Sequence, residues 1–303
     1  MYDLIIIGGG PAAVSAGIYA ARKKLKVLLI TKDWAGQMSK AALIENYPGI
    51  KEMSGFDLMN KFVEDLKKNE LEIKQEEAVK EVKEISKSEL EVITDKGSYQ
   101  TKSIIVATGR RPKKLGIKGE DKFIGKGVSV CATCDGPLFR DKQVAIIGGG
   151  NAGLTTALEL AEYASKVYIL EYMSELKADG FLQEKIKQVS KIKIMTNVKT
   201  LEIKGEHFVT GLVYQYRNPG NNKELVIQGV FLATGSLANS SFVKNMVELN
   251  KGEEIKIDSK NKTSDQRIFA AGDVSNISHK QIIIAAGEGA KAALNVYDYL
   301  KNL

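Results

Sequence analysis

The chain begins with an apolar run, DLIIIG (residues 3–8). A glycine turn follows, then PAAVSAGIYAARKK, then a second apolar run, KVLLIT. A short continuous apolar run that ends on glycine reads as a strand buried on both faces. The longer stretch behind it, rich in alanine and apolar at helical spacing, reads as a helix packed on that strand. Strand, turn, helix and strand make a βαβ unit. The same succession returns with its first glycine 140 residues further on: QVAIIG, a glycine turn, NAGLTTALELAEYA and KVYILE. Two other apolar runs, IIVATG (residues 104–109) and VFLATG (residues 230–235), each close one module. A final strand and helix follow the second module: RIFAAGD, then QIIIAAGEGAKAALNVYDYL. The second module is therefore inserted into the first.

Between the βαβ units the pattern suggests hairpins. ELEVITDKGSYQTKSIIV turns at Asp95–Ser98, and HFVTGLVYQYRNPGNNKELVIQGVFL turns at NPGNN. The expected fold class is α/β, with two Rossmann-like dinucleotide-binding domains, the second inserted into the first, each carrying an antiparallel β-meander. The expected boundaries are 1–112 and 242–303 for the first domain and 113–241 for the second.

The glycine turns carry the first candidate chemistry. Gly8, Gly10 and Ala13 form G-x-G-x-x-A, and Gly148, Gly150 and Gly153 form G-x-G-x-x-G. The first glycine permits a tight turn and the second lets backbone approach a pyrophosphate. The third position must be small for helix and sheet to pack closely. The pyrophosphate rests on unpaired N–H groups at the positive end of the helix. Candidate contacts are Gly8, Gly10, Pro11, Ala12 and Ala13 in the first copy, and Gly148, Gly150, Asn151, Ala152 and Gly153 in the second. The alternative, an ordinary tight strand–helix turn, is weakened because each motif has its full βαβ context.

The two copies suit different dinucleotides. Glu171 ends KVYILE, 18 residues after Gly153, where a carboxylate takes the hydroxyls of an adenosine ribose and repels a 2′-phosphate. That favours NADH over NADPH; the alternative is a strand-terminal glutamate in solvent. The first copy has no acid at the equivalent place. Its ligand is read from the far end of the chain, where Asp273 precedes a helix expected to begin near Gln281. A carboxylate for a sugar-like chain and a helix N-terminus for an electron-poor ring suit FAD.

Composition changes the picture little. Of 303 residues, 44% are apolar and 27% charged, as in ordinary soluble domains, and no apolar run is long enough to span a bilayer. The chain enters its first strand with no basic, apolar leader, so a cytoplasmic location is expected. The net charge is +7, with Lys and Glu interspersed, as in VEDLKKNELEIKQEEAVKEVKE. This reads as a solvated surface and not as a nucleic-acid arm. It leaves room for an acidic partner protein or a phosphate-bearing cofactor.

The cysteines change it more. There are two, Cys131 and Cys134, in CATCD, and both histidines are far away. Two cysteines make neither a disulfide framework nor, without further ligands, a zinc site, so no metal is expected. A redox pair is the leading reading. Asp135 is the local carboxylate able to manage protons beside them, its pKa raised if it is buried. A cap or turn role for Asp135 is the alternative.

The succession GGGPAA, ENYPG, ATG, CATCDG, GGGNAG, ATG, AAGD and KQIIIAAGEGAKAA resembles the low-molecular-weight thioredoxin reductases over essentially the whole chain. It resembles still more the flavoprotein module of the bacterial alkyl hydroperoxide reductase flavoprotein subunit. The resemblance implies that Gly8, Gly10, Gln37, Asn46, Asp273 and Gln281 contact FAD, with Thr108, Gly109, Gly272, Lys280 and Ile282 on the same side. It implies that Cys131 and Cys134 form the redox disulfide, Cys134 facing the flavin and Cys131 attacking the partner. Relatives that prefer NADPH carry HRRxxxR, where this chain reads Glu171-Tyr172-Met173-Ser174-Glu175-Leu176-Lys177. Two arginines are gone and Lys177 replaces the third, which again favours NADH.

The hydroperoxide reductase flavoprotein also carries an N-terminal thioredoxin-like extension that this sequence does not show. A separate acceptor is therefore expected, a thioredoxin- or glutaredoxin-like protein, with a peroxiredoxin system as the alternative. An NADH oxidase or flavin electron carrier is the reading from another class. The resemblance further implies a homodimer. It also implies domain rotation on linkers near GRRPKKLGIKGE and SLANSSF.

Overall fold

The computed structural model describes the 303 residues except Ala35, Ala42, Leu43, Glu45, Asn218 and Pro219, and except the side chains of Lys40 and Pro112. Glu45 of ENYPG and the first two residues of NPGNN thus lie outside the described residues. The chain forms two units. One comprises Met1–Lys40, Tyr47–Arg111 and Leu237–Leu303; the other comprises Ala41–Asn46 and Pro112–Ser236.

The first unit contains β1 (Tyr2–Ile7), α1 (Pro11–Arg22), β2 (Val27–Ile30), α2 (Gly55–Lys67), β3 (Glu72–Lys74), β4 (Val79–Ser86), β5 (Glu89–Thr94) and β6 (Ser98–Val106). The chain leaves it through β7 (Arg110–Pro112). The second unit contains β8 (Val128–Ser129), α3 (Ala132–Asp135), β9 (Gln143–Ile147), α4 (Asn151–Ala161), β10 (Lys166–Leu170), α5 (Gly180–Lys187) and β11 (Ile192–Met195). It continues with β12 (Val198–Gly205), β13 (Val209–Tyr216), β14 (Lys223–Val226) and β15 (Gly229–Leu232). The chain returns through β16 (Ser236–Ala238), then completes the first unit with β17 (Ile268–Ala270) and α6 (Ile282–Lys301).

In the first unit β3, β2, β1 and β6 run parallel, with β17 parallel on the other side of β6. Strand β6 takes neighbours of both kinds within one seven-stranded sheet: its first half pairs antiparallel with β5, which pairs with β4. Leu4, Ile5, Ile6 and Ile7 are all buried, which is why DLIIIG reads as one apolar run instead of alternating. Helix α6 lies against α1 so closely that a Cβ on Gly289 would stand 2.0 Å from the Ala12 carbonyl oxygen.

The second unit repeats the plan with strand order β11-β10-β9-β15-β8, all parallel. Its two faces are covered differently, and β9 shows how. Val144 and Ile146 pack with Leu154, Ala157 and Leu160 of α4. Ala145 and Ile147 pack with Val198, Ile203, Leu212 and Tyr214 of the antiparallel sheet β12-β13-β14. The period of two puts alternate side chains into two cores, so the strand must be apolar throughout.

Strands β7 and β16 pair with each other as a two-stranded ladder. Asn239 N donates to Gly109 O at 3.0 Å at one end, and Lys113 N to Gly235 O at 3.0 Å at the other. Among the described residues no helix is long and apolar enough to cross a membrane.

Candidate active site

The two glycine turns have the same geometry. Gly8 and Gly148 follow β1 and β9 with φ of +134° and +120°, a region that disfavours any side chain. A Cβ there would stand 2.2 Å from Ala107 O and 2.7 Å from Ala233 O respectively. Gly10 and Gly150 are the N-caps of α1 and α4, without side-chain caps, and a Cβ at either would meet only open space. The first-turn N–H groups of each helix, at Ala12 and Ala13 and at Ala152 and Gly153, are thus left for an anion. Pro11 at N1 loses no needed donor. An uncapped helix start beneath open space fits a pyrophosphate in each unit, so both units fit a dinucleotide.

Of the other residues read as FAD contacts, all but Asn46 lie in the first unit. Asp273 lies in the loop before α6; burial pushes its carboxyl above the usual range, although Lys280 and Arg110 pull it back. Gln281 is the N-cap of α6, Ile282 its first residue, and Gly272 precedes Asp273 with φ of +73°. Thr108 Oγ1 donates to Asn239 O at 2.7 Å, and Asn239 Nδ2 returns a bond to Thr108 O at 2.9 Å, beside Gly109. Gln37 is half-buried, and Asn46 closes the segment that clusters with the second unit.

Lys280 belongs to a charge cluster that the sequence does not announce. Its Nζ donates to Ser275 O at 2.6 Å and lies 3.3 Å from Glu254, which also accepts from Arg110 and from Asn250 Nδ2. Burial lowers the Lys280 ammonium. Burial pushes the Glu254 carboxyl up, but Asn250, Lys280 and Arg110 outweigh it, and the net direction is down. A depressed folded-state pKa gives stability that is present above the unfolded value, near 4.3, and lost as pH falls through the folded one. Glu254→Gln is therefore expected to cost about 2 kcal/mol at pH 7, with the difference in thermal melts shrinking as pH falls from the unfolded value through the depressed folded one.

In the second unit Glu171 is 9% exposed. Its Oε2 accepts from Gly149 N at 2.6 Å and its Oε1 from Met173 N at 2.8 Å. The carboxylate is thereby clamped against the glycine turn, and each oxygen keeps a lone pair beyond the bond it accepts. Gly153 sits so near the turn that a Cβ would stand 2.0 Å from Gly148 O. Asn151 exchanges bonds of 2.8 and 2.7 Å with Asp179, fixing the start of α4 against the start of α5. Lys177 is held by its backbone, N–H to Gly149 O at 3.1 Å, with an exposed side chain. Beside Glu171 opens a cavity of about 310 Å³, walled by Leu115, Ile117, Ile147, Leu170 and Val198, with Gly148, Tyr172 and Thr234 also lining it.

Cys131 and Cys134 form a disulfide in the same unit, their Cα atoms 5.3 Å apart. Cys131 is the N-cap of α3, and its Sγ accepts from Cys134 N at 3.2 Å. Ser129 braces the pair: Cys131 N donates to Ser129 Oγ at 3.1 Å, and Ser129 Oγ donates to Cys131 O at 3.3 Å. Asp135 ends α3 and makes no side-chain cap bond to the turn that follows. It is 9% exposed, and its Oδ1 has no hydrogen-bond partner among the described residues. Burial pushes its carboxyl above the usual range, with Ser129 pulling part of the way back. A buried carboxyl with an unsatisfied oxygen thus stands next in sequence to the disulfide, which makes it a candidate acid.

Ser129, Asn239 and Glu254 take part in these sites without any motif that would have singled them out.

The pyridine nucleotide-disulphide oxidoreductase family pattern matches residues 2–290. The alkyl hydroperoxide reductase F protein of Staphylococcus aureus (strain MRSA252) is 41% identical over 300 residues, which is 99% of this chain and 59% of the relative. The corresponding protein of Staphylococcus epidermidis is 39% identical over 299 residues, with the same coverage of 99% and 59%. The chain thus spans about three fifths of the length of these relatives. Among solved structures, thioredoxin reductase from Streptococcus pyogenes MGAS5005 superposes with a TM-score of 0.95 at 34% identity, covering 100% of this chain and 99% of that one. Thioredoxin reductase from T. acidophilum gives 0.67 at 36% identity, with 98% of each chain covered. The two glycine cradles and the paired cysteines are thus those of a recognised lineage, and the chain belongs to the pyridine nucleotide-disulphide oxidoreductase family.

Proposed function

We propose that the chain is a flavin-dependent disulfide reductase of the thioredoxin reductase type. It takes electrons from NADH and delivers them through Cys131 and Cys134 to the disulfide of a thioredoxin- or glutaredoxin-like protein. The observation that carries this reading is the disulfide with a buried, under-satisfied Asp135 at its side, in the same unit as the second glycine cradle. FAD, held by the first unit at Gly8 to Ala13 and the Asp273–Ile282 loop, would supply the two-electron relay between nicotinamide and disulfide.

The chain's own residues do the rest. Reducing the disulfide takes two electrons and two protons and leaves two thiols. Asp135, whose carboxyl burial pushes toward the protonated form, gives a proton to the sulfur that leaves and recovers it from solvent. Cys131 then attacks the partner's disulfide as a thiolate. Cys134 displaces the mixed disulfide, so the pair is oxidised again and the partner leaves as a dithiol. The turn at Gly148–Gly153 binds the pyrophosphate, and Glu171 orients the ribose and disfavours a 2′-phosphate.

A second reading, a flavoprotein that feeds a peroxiredoxin, is favoured by the 41% identity to the staphylococcal alkyl hydroperoxide reductase F protein. One comparison tests both readings and the coenzyme. Consumption of NADH and of NADPH is followed with oxygen alone, with oxidised thioredoxin, and with a peroxiredoxin plus carrier. NADH is expected to give a kcat/KM at least about tenfold above NADPH, with a protein disulfide as the required acceptor. Equal rates with oxygen alone would leave an oxidase. A large NADPH preference would overturn the role given to Glu171.

A further inference from the structure

The mouth of the cavity beside Glu171 carries an arrangement that binding of the ribose leaves unexplained. Tyr172 lines this cavity and is 51% exposed. A phenol ring so open to solvent would ordinarily sample several rotamers. Here Arg217, at the end of β13, holds it. The guanidinium carbon lies 4.5 Å from the ring centroid, a stacked cation–π distance. Arg217 Nη1 reaches Tyr172 O at 3.5 Å. The arginine is itself anchored, because its backbone N–H donates to Asn197 O at 2.7 Å, and Asn197 N donates to Met173 O at 2.8 Å. Ring, guanidinium and the turn after β10 thus form one tied group.

A ring half open to solvent and braced by a guanidinium on one face can take a second planar group on the other. The cavity it borders is small for a ligand pocket and apolar along most of its wall, with a clamped carboxylate at its edge. We propose that Tyr172 is the stacking platform for the adenine ring of the nicotinamide coenzyme, and that Arg217 is the positioning residue that fixes the platform. The inference rests on the reading of the second unit as the NADH site. It adds two residues drawn from different elements, one of them from the antiparallel hairpin and not from the nucleotide-binding core. Stacking of a base on an aromatic side chain is worth about a tenfold to a hundredfold change in affinity.

The test uses the FAD-loaded enzyme and three probes. NADH carries the adenosine, reduced nicotinamide mononucleotide lacks it, and 5′-AMP is the adenosine half alone. Tyr172→Ala is expected to weaken 5′-AMP binding, measured by calorimetry on the oxidised enzyme, by about tenfold to a hundredfold. It is expected to raise KM for NADH similarly, leaving kcat unchanged. KM for reduced nicotinamide mononucleotide should not move, which also excludes a folding defect. Tyr172→Phe should behave as wild type. Arg217→Gln should give a smaller loss in the same two measurements, and Arg217→Lys should regain part of it. Unchanged 5′-AMP affinity in Tyr172→Ala would overturn the proposal, as would an equal rise in KM for the mononucleotide. If Arg217→Gln weakened 2′,5′-ADP but left 5′-AMP untouched, the guanidinium would be reading phosphate charge and the platform role would fall. Wild-type enzyme that used NADH yet ignored 5′-AMP would defeat the platform alone. Enzyme that used no NADH would defeat the reading beneath it.

Discussion

Cys134→Ser enzyme is expected to let NADH bleach the flavin while a protein disulfide stays oxidised. The two cysteines form one bond in one short segment, and serine at either place leaves a lone thiol that cannot complete the cycle. Members of a unit that acts together are lost together, so thiol release from oxidised thioredoxin should fall by at least about a thousandfold. The fold should tolerate the change, because Cys131 Sγ accepts from the backbone N–H of residue 134 and not from its side chain. Flavin absorbance after NADH addition and free thiol in the acceptor are read on the same sample. Thiol release at the normal rate with Cys134→Ser would remove the pair from the electron path.

Asp135→Asn sets activity against stability. The isosteric amide can neither give nor take the proton, and loss of a positioned acid or base costs about a hundredfold to ten-thousandfold. Stability should move the other way. Burial raises the folded-state pKa of Asp135 above its unfolded value near 3.9. Such a group favours the folded state fully below the unfolded value, and that contribution is lost as pH rises through the folded one. At neutral pH the wild type therefore bears a buried charge or an unfavourably held proton that asparagine does not. The melting temperature of the oxidised variant should exceed wild type by about 3 °C at pH 7 and equal it below about pH 4. Wild-type turnover should decline on the alkaline side as Asp135 ionises, and the residual activity of the variant should lack that limb. A variant less stable than wild type at pH 7, or as active, would assign Asp135 to structure.

The core of both units was legible because strands buried on both faces leave continuous apolar runs. DLIIIG and QVAIIG are such runs, and the glycine turns behind them have one geometry to satisfy. Strand β4 was not legible for the opposite reason. VKEVKEIS is rich in Lys and Glu, residues that favour helices, and only Val82 of the strand is buried. It lies at an outer edge of its sheet, where charge is useful against stray pairing and pattern is weak. Helix α2 did leave a signal, Ser54 accepting from Asp57 N at 3.1 Å, but a lone S-x-x-D is common. The sites divide the same way. Cys131, Cys134 and Glu171 stand in fixed spacing to a motif. Glu254 and Arg217 reach their sites through folding alone, Glu254 from 144 residues beyond Arg110. One-dimensional spacing carries no trace of such partners.

The ladder of β7 and β16 bears on how such a chain can arise and be rebuilt. Gly109 and Asn239 are hydrogen-bonded neighbours, so the host unit releases its guest and takes the chain back at adjoining residues. Parallel registers of the host, β1 with β6 and β6 with β17, close without borrowing a strand from the guest. A gene for one nucleotide-binding fold could therefore accept another as a cassette at one loop, and the join can be exchanged today without redrawing either sheet. Grafting a foreign coenzyme module between Gly109 and Asn239 asks that its own ends meet at ladder distance and that Arg110, the partner of Glu254, be kept.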